Sequence, residues 1–352
     1  MPEHIKSRNS EHLDKIVVSF ILVCRNEEKH VDHVLESLCS EMELIGKTKC
    51  ELVIVDGISE DKTVEKINDF FKRNSGIGYR FFSNPQKTLA TGWNVGIQQT
   101  HGQFVIRPDA HGGLKSGYVL KGLEILKEHP EVVAVGGVLE TIASGYYGEI
   151  IKEALSSPIG VGNSLFRTGL RSGYTDTAVF ALYRKEIFKK TGYLNENLIR
   201  HQDNELHQRI VKSGGKLWTE KSMVAEYFCR DHPLLLFKQM KEIGFYLPDL
   251  FEVGGTGGLQ FRHLAPFIFH FLNLVFWGAS LANRLFLIGT IPFCFYAAIL
   301  AGVSASKIFL YRDLKYINLI WIILFMHFSY AYGTALGLSR LILKRFNTDA
   351  VR

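Results

Sequence analysis

The sequence predicts an α/β domain with a mostly parallel sheet, followed by interfacial helices and an α-helical membrane region. Three observations support this fold class. Apolar runs of strand length alternate with amphipathic helical patterns over residues 17–135, and polar residues stand directly after several of those runs. Long apolar stretches are concentrated between residues 264 and 338. The 352 residues accommodate one large domain or two modest ones.

The predicted strands follow one another at regular intervals. The first covers residues 17–24, a continuous apolar run that is typical of a strand buried on both faces. Further strands are expected over residues 52–55, 79–82, 104–106 and 132–135. Helical patterns fill the intervals between them, so we expect the strands to be parallel with right-handed crossovers.

The predicted helices begin shortly after the strands. Asn26 is expected to cap the helix that follows the first strand. The next three helices are expected over residues 59–71, 88–99 and 117–128, with their apolar residues facing the sheet.

Polar residues gather where the predicted strands end. Asn26 and Glu27 follow the first strand, Asp56 follows the second, and Asp109 follows the fourth. Ligands of parallel sheets bind beyond the carboxyl ends of the strands, so we expect a binding site here. Asp109 and His111 also stand two residues apart in one loop, where they offer two ligands to a metal ion.

Two common nucleotide-binding motifs are missing from the sequence. The turn at residues 24–28 contains no glycine, which excludes the Gly-x-Gly-x-x-Gly turn of dinucleotide-binding proteins, and a P-loop is also missing. A metal ion is therefore expected to help in binding phosphates. The net charge of +6 is modest and the basic residues are dispersed, so nucleic acid is not an expected partner.

A second acidic element is the segment at residues 199–209, which reads IRHQDNELHQR. Asp203 and Glu205 stand in the first turn of a predicted helix, where carboxylates interact favourably with the helix dipole. Glu205 and Arg209 are four residues apart and can pair on one face. An ordinary charged surface helix would show the same features, but the separate Asp109 loop favours a reactive site.

Three segments are long and apolar enough to span a bilayer: residues 264–282, 285–303 and 317–338. Their polar residues, together with Gly333 and Gly337, are expected to serve packing between helices. Residues 232–263 are expected to form an interfacial amphipathic segment that ends in a glycine-rich turn, and residues 339–352 a short basic tail. Residues 1–231 would then form the catalytic domain.

Several features bear on the location of the chain. The polar N-terminus lacks the apolar core of a secretory signal. The five cysteines include no Cys-x-x-Cys pair, which fits a reducing compartment better than a disulfide or zinc site. Basic residues beside the apolar segments favour a cytosolic catalytic domain, although the basic tail does not fit a three-pass arrangement. We expect a multi-pass protein of the cell membrane.

Four motifs resemble those of the family 2 glycosyltransferases, which have the GT-A fold. They are the Asn-Glu turn at Asn26, VDGISEDKT at residues 55–63, IRPDAH at 106–111, and HQDNELHQR at 201–209. Longer segments, among them NPQKTLATGWNVGI and SPIGVGNSLFR, resemble the succinoglycan-type exopolysaccharide glucosyltransferases. The chain departs from the family pattern at Gly57, His111 and Gln202.

The resemblance implies roles for these residues. Asn26, Glu27 and Asp56 would bind the uridine of a nucleotide-sugar, while Asp109 and His111 would position Mg²⁺ or Mn²⁺ on its diphosphate. Asp203 would be the general base that deprotonates the acceptor hydroxyl, which gives inversion at the anomeric carbon. Further contacts with the nucleotide, the donor sugar or the acceptor would come from Lys87, Asn94, Asp176, Glu205 and Arg209.

The resulting hypothesis is a membrane-bound, inverting, metal-dependent hexosyltransferase of polysaccharide biosynthesis. It would move a sugar from a nucleotide-sugar, expected to be a UDP-hexose, to a lipid-linked or glycan acceptor. The Gln-x-x-Arg-Trp motif of processive synthases is missing, which favours the addition of a single sugar. Two alternatives stay open: a polyprenyl-phosphate sugar transferase, and an inactive membrane scaffold with the same fold.

Overall fold

The computed structural model describes residues 16–162, 164–253 and 261–349. The chain divides into two compact units. The sheet unit comprises Met1–Glu140 and Leu165–Phe228, and the helical unit comprises Thr141–Ser164 and Cys229–Arg352. Residues 141–164 thus pack with the C-terminal part of the chain, which the expected boundary near residue 231 does not anticipate.

Within the described residues, the sheet unit is built on nine strands in the order β3-β2-β1-β4-β8-β6-β9-β5, and β7 pairs with β9. The strands are β1 Val18–Cys24, β2 Cys50–Asp56, β3 Tyr79–Ser83, β4 Phe104–Ile106, β5 Gly112–Leu114, β6 Val132–Ile142, β7 Gly173–Thr175, β8 Leu182–Arg184 and β9 Lys216–Phe228.

The first four strands are parallel, as predicted. β1 lies between β2 and β4, and β3 flanks β2. Every residue of β1 and β2 is buried, because both faces of these strands are covered. The register pairs Cys24 with Asp56, so the two strands end side by side and their loops emerge together.

The fifth predicted strand, at residues 132–135, is present as the start of β6, but its expected parallel direction was wrong. β6 is antiparallel to β8, with Val135 opposite Leu182, and β8 is also antiparallel to β4. β8 has only three residues, which is too short for a recognisable pattern in the sequence. Its insertion between β4 and β6 makes the sheet mixed.

Helices cover the sheet and connect its strands. They are α1 Val31–Ile45, α2 Thr63–Arg73, α3 Leu89–Gln99, α4 Tyr118–Glu128, α7 Leu165–Thr168, α8 Ile187–Thr191 and α9 Gln202–Lys212. The intervening helices α5 Gly145–Ser156 and α6 Pro158–Val161 belong to the helical unit. The expected capping of α1 by Asn26 was wrong. The residue before α1 is His30, whose side chain makes no capping hydrogen bond. The Asn26 side chain instead accepts a hydrogen bond from the Glu60 N–H.

The helical unit continues with α10 Pro233–Tyr246, α11 Asp249–Glu252, α12 Phe261–Ser280, α13 Ile291–Tyr311 and α14 Leu319–Asp349. Among the described residues, two helical stretches are long and apolar enough to cross a membrane, Arg284–Tyr311 and Leu314–Phe346. The first predicted span forms α12, which contains Pro266 and is not one of these two. The number of three spans stays a prediction, and the glycine-rich turn lies outside the described residues.

Glycines bring α10 and α14 into close contact. A Cβ atom at Gly333 would lie 2.0 Å from the Lys241 carbonyl oxygen, and one at Gly337 would lie 2.2 Å from the Phe245 oxygen. From the other side, a Cβ at Gly244 would lie 2.1 Å from the Tyr330 oxygen. The predicted packing role of Gly333 and Gly337 is therefore confirmed.

Candidate functional site

Hydrogen bonds between side-chain oxygens and backbone N–H groups hold the loops after β1 and β2 together. The Asn26 N–H donates to Ser59 Oγ over 2.9 Å, and the Glu60 N–H donates to Asn26 Oδ1 over 2.8 Å. Asn26 has a φ of 56°, in the left-handed region that Asn tolerates better than most residues. The Glu27 N–H donates to Thr63 Oγ1 over 2.7 Å. Both predicted residues of the first loop are thereby fixed against the second.

Asp56 ends β2 and is only 5% exposed. Its Oδ2 accepts a hydrogen bond from the Ser59 N–H over 3.0 Å, and its Oδ1 accepts one from Ser59 Oγ over 2.6 Å. Cys24 Sγ lies 3.9 Å from Asp56 Oδ1, and burial raises the pKa of this thiol, which keeps it protonated. The Asp56 carboxylate therefore organises the loop that follows it.

Asp109 and His111 lie in the loop between β4 and β5. Asp109 forms an isolated parallel bridge with Val23, beside the end of β1. His111 Nδ1 is 3.5 Å from Glu27 Oε1. The fold thus brings Glu27, Asp109 and His111 to one edge of the sheet. In the part of the chain that the structure describes, no three His, Cys, Asp or Glu side chains are grouped so that they could hold a metal ion.

Asp203 lies in the first turn of α9 and is bound by Arg107. Arg107 Nη2 donates to Asp203 Oδ2 over 2.7 Å, and Nη1 donates to Oδ1. The guanidinium carbon lies 4.4 Å from the centre of the Trp93 ring, and Nη2 lies 3.6 Å from an Asp109 oxygen. Burial alone would lower the pKa of Arg107, but the carboxylates of Asp203 and Asp109 raise it above its ordinary value. Arg107 therefore stays charged and donates hydrogen bonds to both Asp203 oxygens.

Arg107 is absent from the site residues predicted above. It stands two positions before Asp109, at the end of an otherwise apolar strand. A basic residue at the end of an apolar run indicates a buried ion pair, and this signal was present in the sequence. Its partner lies 96 positions further along the chain, so the pair becomes visible only in the folded protein.

Two neutral side chains, those of His207 and Tyr183, lie beside this ion pair. His207 Nε2 lies 2.8 Å from the Tyr183 hydroxyl, and both side chains are buried. Burial lowers the pKa of His207 to about 4 and raises that of Tyr183, so both groups are neutral near pH 7. A small cavity lined by Arg107, Asp203, Tyr183 and Trp93 lies beside them.

Lys87 and Asn94 occupy different environments. Lys87 Nζ lies 3.6 Å from Glu60 Oε1, which places it at the loop after β2. Asn94 Nδ2 donates to the Leu194 oxygen over 2.9 Å and to Glu196 Oε1 over 2.8 Å, and Asn94 Oδ1 accepts from the Leu194 N–H over 3.0 Å. These contacts connect α3 to the segment before α9, which favours a positioning role for Asn94 over the predicted direct contact with the nucleotide.

Glu205 and Arg209 form the predicted pair, with Arg209 Nε and Nη2 each 2.7 Å from a Glu205 oxygen. Arg209 Nη2 also donates to the Tyr193 oxygen over 2.7 Å. Asp176 follows β7, and its carboxylate acts electrostatically on His207. The pairing is confirmed, while contacts of these three predicted residues with a sugar stay predictions.

Comparison with known proteins finds a family model and several relatives that match this chain. Residues 19–192 match the family described as Glycosyl transferase family 2. The chain is 26% identical over 333 residues to a Methanococcus voltae protein, a match that covers 91% of this chain and 97% of the relative. That relative is named dolichyl N-acetyl-alpha-D-glucosaminyl phosphate 3-beta-D-2,3-diacetamido-2,3-dideoxy-beta-D-glucuronosyltransferase.

A second relative is the succinoglycan biosynthesis protein ExoA of Rhizobium meliloti (strain 1021). It is 26% identical over 234 residues, which cover 66% of this chain and 69% of the relative. Among solved structures, the mannosyltransferase PcManGT from Pyrobaculum calidifontis, in complex with GDP-Man and Mn²⁺, superposes with a TM-score of 0.57. That match has 14% identity and covers 90% of this chain and 86% of the other, and it confirms the predicted GT-A fold.

Proposed function

We propose that the chain, which matches the model of glycosyltransferase family 2 over residues 19–192, is a membrane-bound, inverting hexosyltransferase of that family. It moves a sugar from a nucleotide-sugar, a UDP-hexose, to a lipid-linked or glycan acceptor in polysaccharide or glycolipid synthesis. The observation that carries the proposal is the meeting of the β1, β2 and β4 loops, with Glu27, Asp56 and Asp109, at one end of a parallel sheet.

The loops after β1 and β2 supply the nucleotide site in this proposal. Asn26, Glu27 and Asp56 bind the uridine part of the donor, and Lys87 borders it. Because hydrogen bonds already fix both loops, little conformational freedom is lost when the nucleotide binds. This preorganisation supports binding by these loops in the absence of a glycine-rich turn.

Asp109 and His111 fit a divalent metal ion that the substrate itself helps to coordinate. Sites for Mg²⁺ and similar ions often use one or two protein ligands together with substrate phosphates, and an imidazole ligand suits Mn²⁺ in particular. A protein of the same fold was solved with Mn²⁺. When bound, such an ion offsets the negative charge that develops on the departing nucleoside diphosphate. Glu27, 3.5 Å from His111, would orient the imidazole.

Asp203 is the proposed general base. Both of its oxygens accept hydrogen bonds from Arg107, yet a carboxylate can accept about four, so an acceptor hydroxyl can still donate to it. Arg107, held against Trp93, keeps the carboxylate in one orientation. A single base that activates the hydroxyl opposite the leaving diphosphate gives inversion at the anomeric carbon.

The helical unit supports a membrane-bound acceptor. Two of its described helical stretches are long and apolar enough to cross a bilayer. Most of the apolar side chains of the first stretch, Arg284–Tyr311, are not buried by the rest of the protein. The name of the Methanococcus voltae relative describes a dolichyl-linked sugar phosphate as its acceptor. We propose the same class of acceptor here, reached by a catalytic unit on the cytosolic side.

A second candidate is a polyprenyl-phosphate sugar transferase. The observation that favours it is the pairing of both Asp203 oxygens with Arg107. A phosphate acceptor is already ionised and needs little help from a base. Strong dependence of the rate on Asp203 would favour the hydroxyl acceptor, and weak dependence would favour the phosphate acceptor.

The purified full-length protein in detergent provides the test. Radiolabelled UDP-sugars are supplied one at a time with Mn²⁺ and with either a membrane lipid extract or synthetic polyprenyl phosphate. Transfer to a component of the extract supports the main proposal, and transfer to polyprenyl phosphate alone supports the second candidate. Absence of transfer from every UDP-sugar, with UDP still bound, would support an inactive scaffold.

A further inference from the structure

Arg167 is a partly buried cation of the sheet unit that the proposed mechanism does not use. It lies in α7, and its guanidinium carbon is 4.3 Å from the centre of the Tyr227 ring and 5.8 Å from that of Phe166. Its Nη1 atom is buried and finds no hydrogen-bond partner among the described residues. Leaving such a charged donor without an acceptor is costly, so an acceptor is expected during the working cycle.

Other arginines of the same unit show what is unusual here. Arg80 donates to a Glu51 oxygen over 2.6 Å, Arg107 donates to Asp203, and Arg209 donates to Glu205. Each of these guanidinium groups meets a carboxylate of the chain. Arg167 instead has an aromatic face on one side, and no ion pair with a described carboxylate is found for it within 4 Å.

The position of Arg167 relates it to the Asp109 and His111 loop. Tyr227, on β9, is paired in register with Gly112, the residue that follows His111. The Tyr227 and His111 rings are 6.1 Å apart, centre to centre. Arg167 and His111 therefore both contact the Tyr227 ring.

We propose that Arg167 binds phosphate oxygens of the substrate. Packing against Tyr227 holds the plane of the guanidinium group, and the edge of this group can make the paired hydrogen bonds that phosphate accepts. The site around Glu27, Asp56 and Asp109 is acidic, so a phosphorylated ligand requires a cation besides the metal ion. This inference rests on the proposed function, which supplies two phosphates: the diphosphate of the donor and the phosphate that links an acceptor sugar to its lipid.

The test uses the full-length protein and compares UDP with uridine. With Mn²⁺ present, Arg167→Gln is expected to weaken UDP binding by about 10- to 100-fold, the range for a charged hydrogen bond, and to leave uridine binding unchanged. Arg167→Lys should recover only part of the loss, because lysine is a point charge without the planar fork. Arg171→Gln, an exposed arginine close by, is the matched control and should bind UDP like the wild type.

The two phosphate sources give different results. Unchanged UDP binding with a raised KM for a lipid-phosphate-linked acceptor assigns Arg167 to the acceptor phosphate. If neither value changes in a variant that melts like the wild type, the inference is overturned. If the wild type itself binds no UDP, the proposed donor is wrong, and pyrophosphate binding then decides the inference, since Arg167→Gln must still weaken it.

Discussion

In the sheet unit, side-chain oxygens hold the loops after β1 and β2, whereas in the helical unit three glycines allow α10 and α14 to touch. Ser59 Oγ serves both loops, because it accepts from the Asn26 N–H and donates to Asp56. Gly333 and Gly244 instead have no side chain. A Cβ atom at either position would lie only 2.0 or 2.1 Å from a carbonyl oxygen of the opposite helix.

The two units should therefore be sensitive to different substitutions. A directional hydrogen bond is lost when one atom is removed, because the remaining donor or acceptor no longer has that partner. A glycine contact is lost when one atom is added, because the backbone of the facing helix must move away. Deletions should therefore affect the sheet unit most, and additions should affect the helical unit most.

The largest effect is expected from removing the metal ion that the sheet unit is proposed to bind. EDTA should abolish sugar transfer by the full-length protein, and Mn²⁺ or Mg²⁺ should restore it. His111→Ala should weaken metal-dependent UDP binding, and His111→Asp should retain part of it because a carboxylate also binds these ions. Full transfer activity in metal-free buffer would contradict the assignment of Asp109 and His111.

The next effect concerns the base. Asp203→Asn should lower kcat by about 100-fold or more, the usual scale for the loss of a general base, with UDP affinity retained. The variant should also be less stable, because Arg107 loses a charged partner in a buried site. Arg107→Lys is the control: it keeps the carboxylate and should reduce kcat less. Equal kcat values for Asp203→Asn and the wild type would remove Asp203 from this role.

The helical unit is tested by adding one methyl group. A Cβ at Gly333 would lie 2.0 Å from the Lys241 oxygen, so Gly333→Ala should lower the free energy of unfolding in detergent by about 1–3 kcal/mol. Gly302→Ala is the matched control in α13, since nothing lies within 4 Å of a Cβ there, and it should be neutral or slightly stabilising. Equal melting temperatures for both variants would show that the α10–α14 contact yields easily.

Features that depend on a local pattern could be predicted from the sequence, whereas contacts between distant segments could not. The strands β1 to β4 were predicted to within two residues, because they are continuous apolar runs or end at polar residues. Asp56, Asp109 and His111 were chosen as candidate site residues for the same reason: each lies at or just after the end of a recognisable strand. Neither Arg107 nor Arg167 was identified, because their surroundings come from segments distant in sequence, Asp203 on α9 and Tyr227 on β9.

The short strands mark a second limit. β5, β7 and β8 have three residues each, and their pairing partners alone give them strand geometry. No periodic pattern develops over three residues, so these three antiparallel strands were not predicted. Gly333 and Gly337 were identified as packing residues from their spacing, but their partner helix α10 could not be named from the sequence.

A smaller effect is expected from pH. His207 is buried and neutral, and its pKa falls from an ordinary 6.5 to about 4. The unfolded chain therefore binds a proton before the folded one does, and stability is lost as the pH falls from about 6.5 towards 4, by up to about 1.4 kcal/mol per pH unit. His207→Gln should reduce this slope, as measured by thermal unfolding between pH 4 and 7. An unchanged slope in His207→Gln would show that other groups dominate acid unfolding.

The smallest effect is expected at Ser59, where one hydroxyl serves two loops. Ser59→Ala removes the acceptor of the Asn26 N–H and the 2.6 Å hydrogen bond to Asp56, but it keeps the Ser59 N–H that donates to Asp56 over 3.0 Å. The loss of stability should be about 1 kcal/mol, the net contribution of an ordinary hydrogen bond. UDP affinity should fall as well, by a few-fold, because the loop becomes less ordered before binding.

Ser213→Ala provides the matched control for this substitution. The Ser213 hydroxyl donates only locally, to the Ile210 oxygen over 2.8 Å at the end of α9, so its removal should leave UDP affinity unchanged. Thermal melting and UDP titration of both variants measure the two effects separately. If Ser59→Ala loses stability without losing UDP affinity, the hydrogen bonds of the β1 and β2 loops support the fold alone, and preorganisation of the nucleotide site must come from elsewhere in the sheet unit.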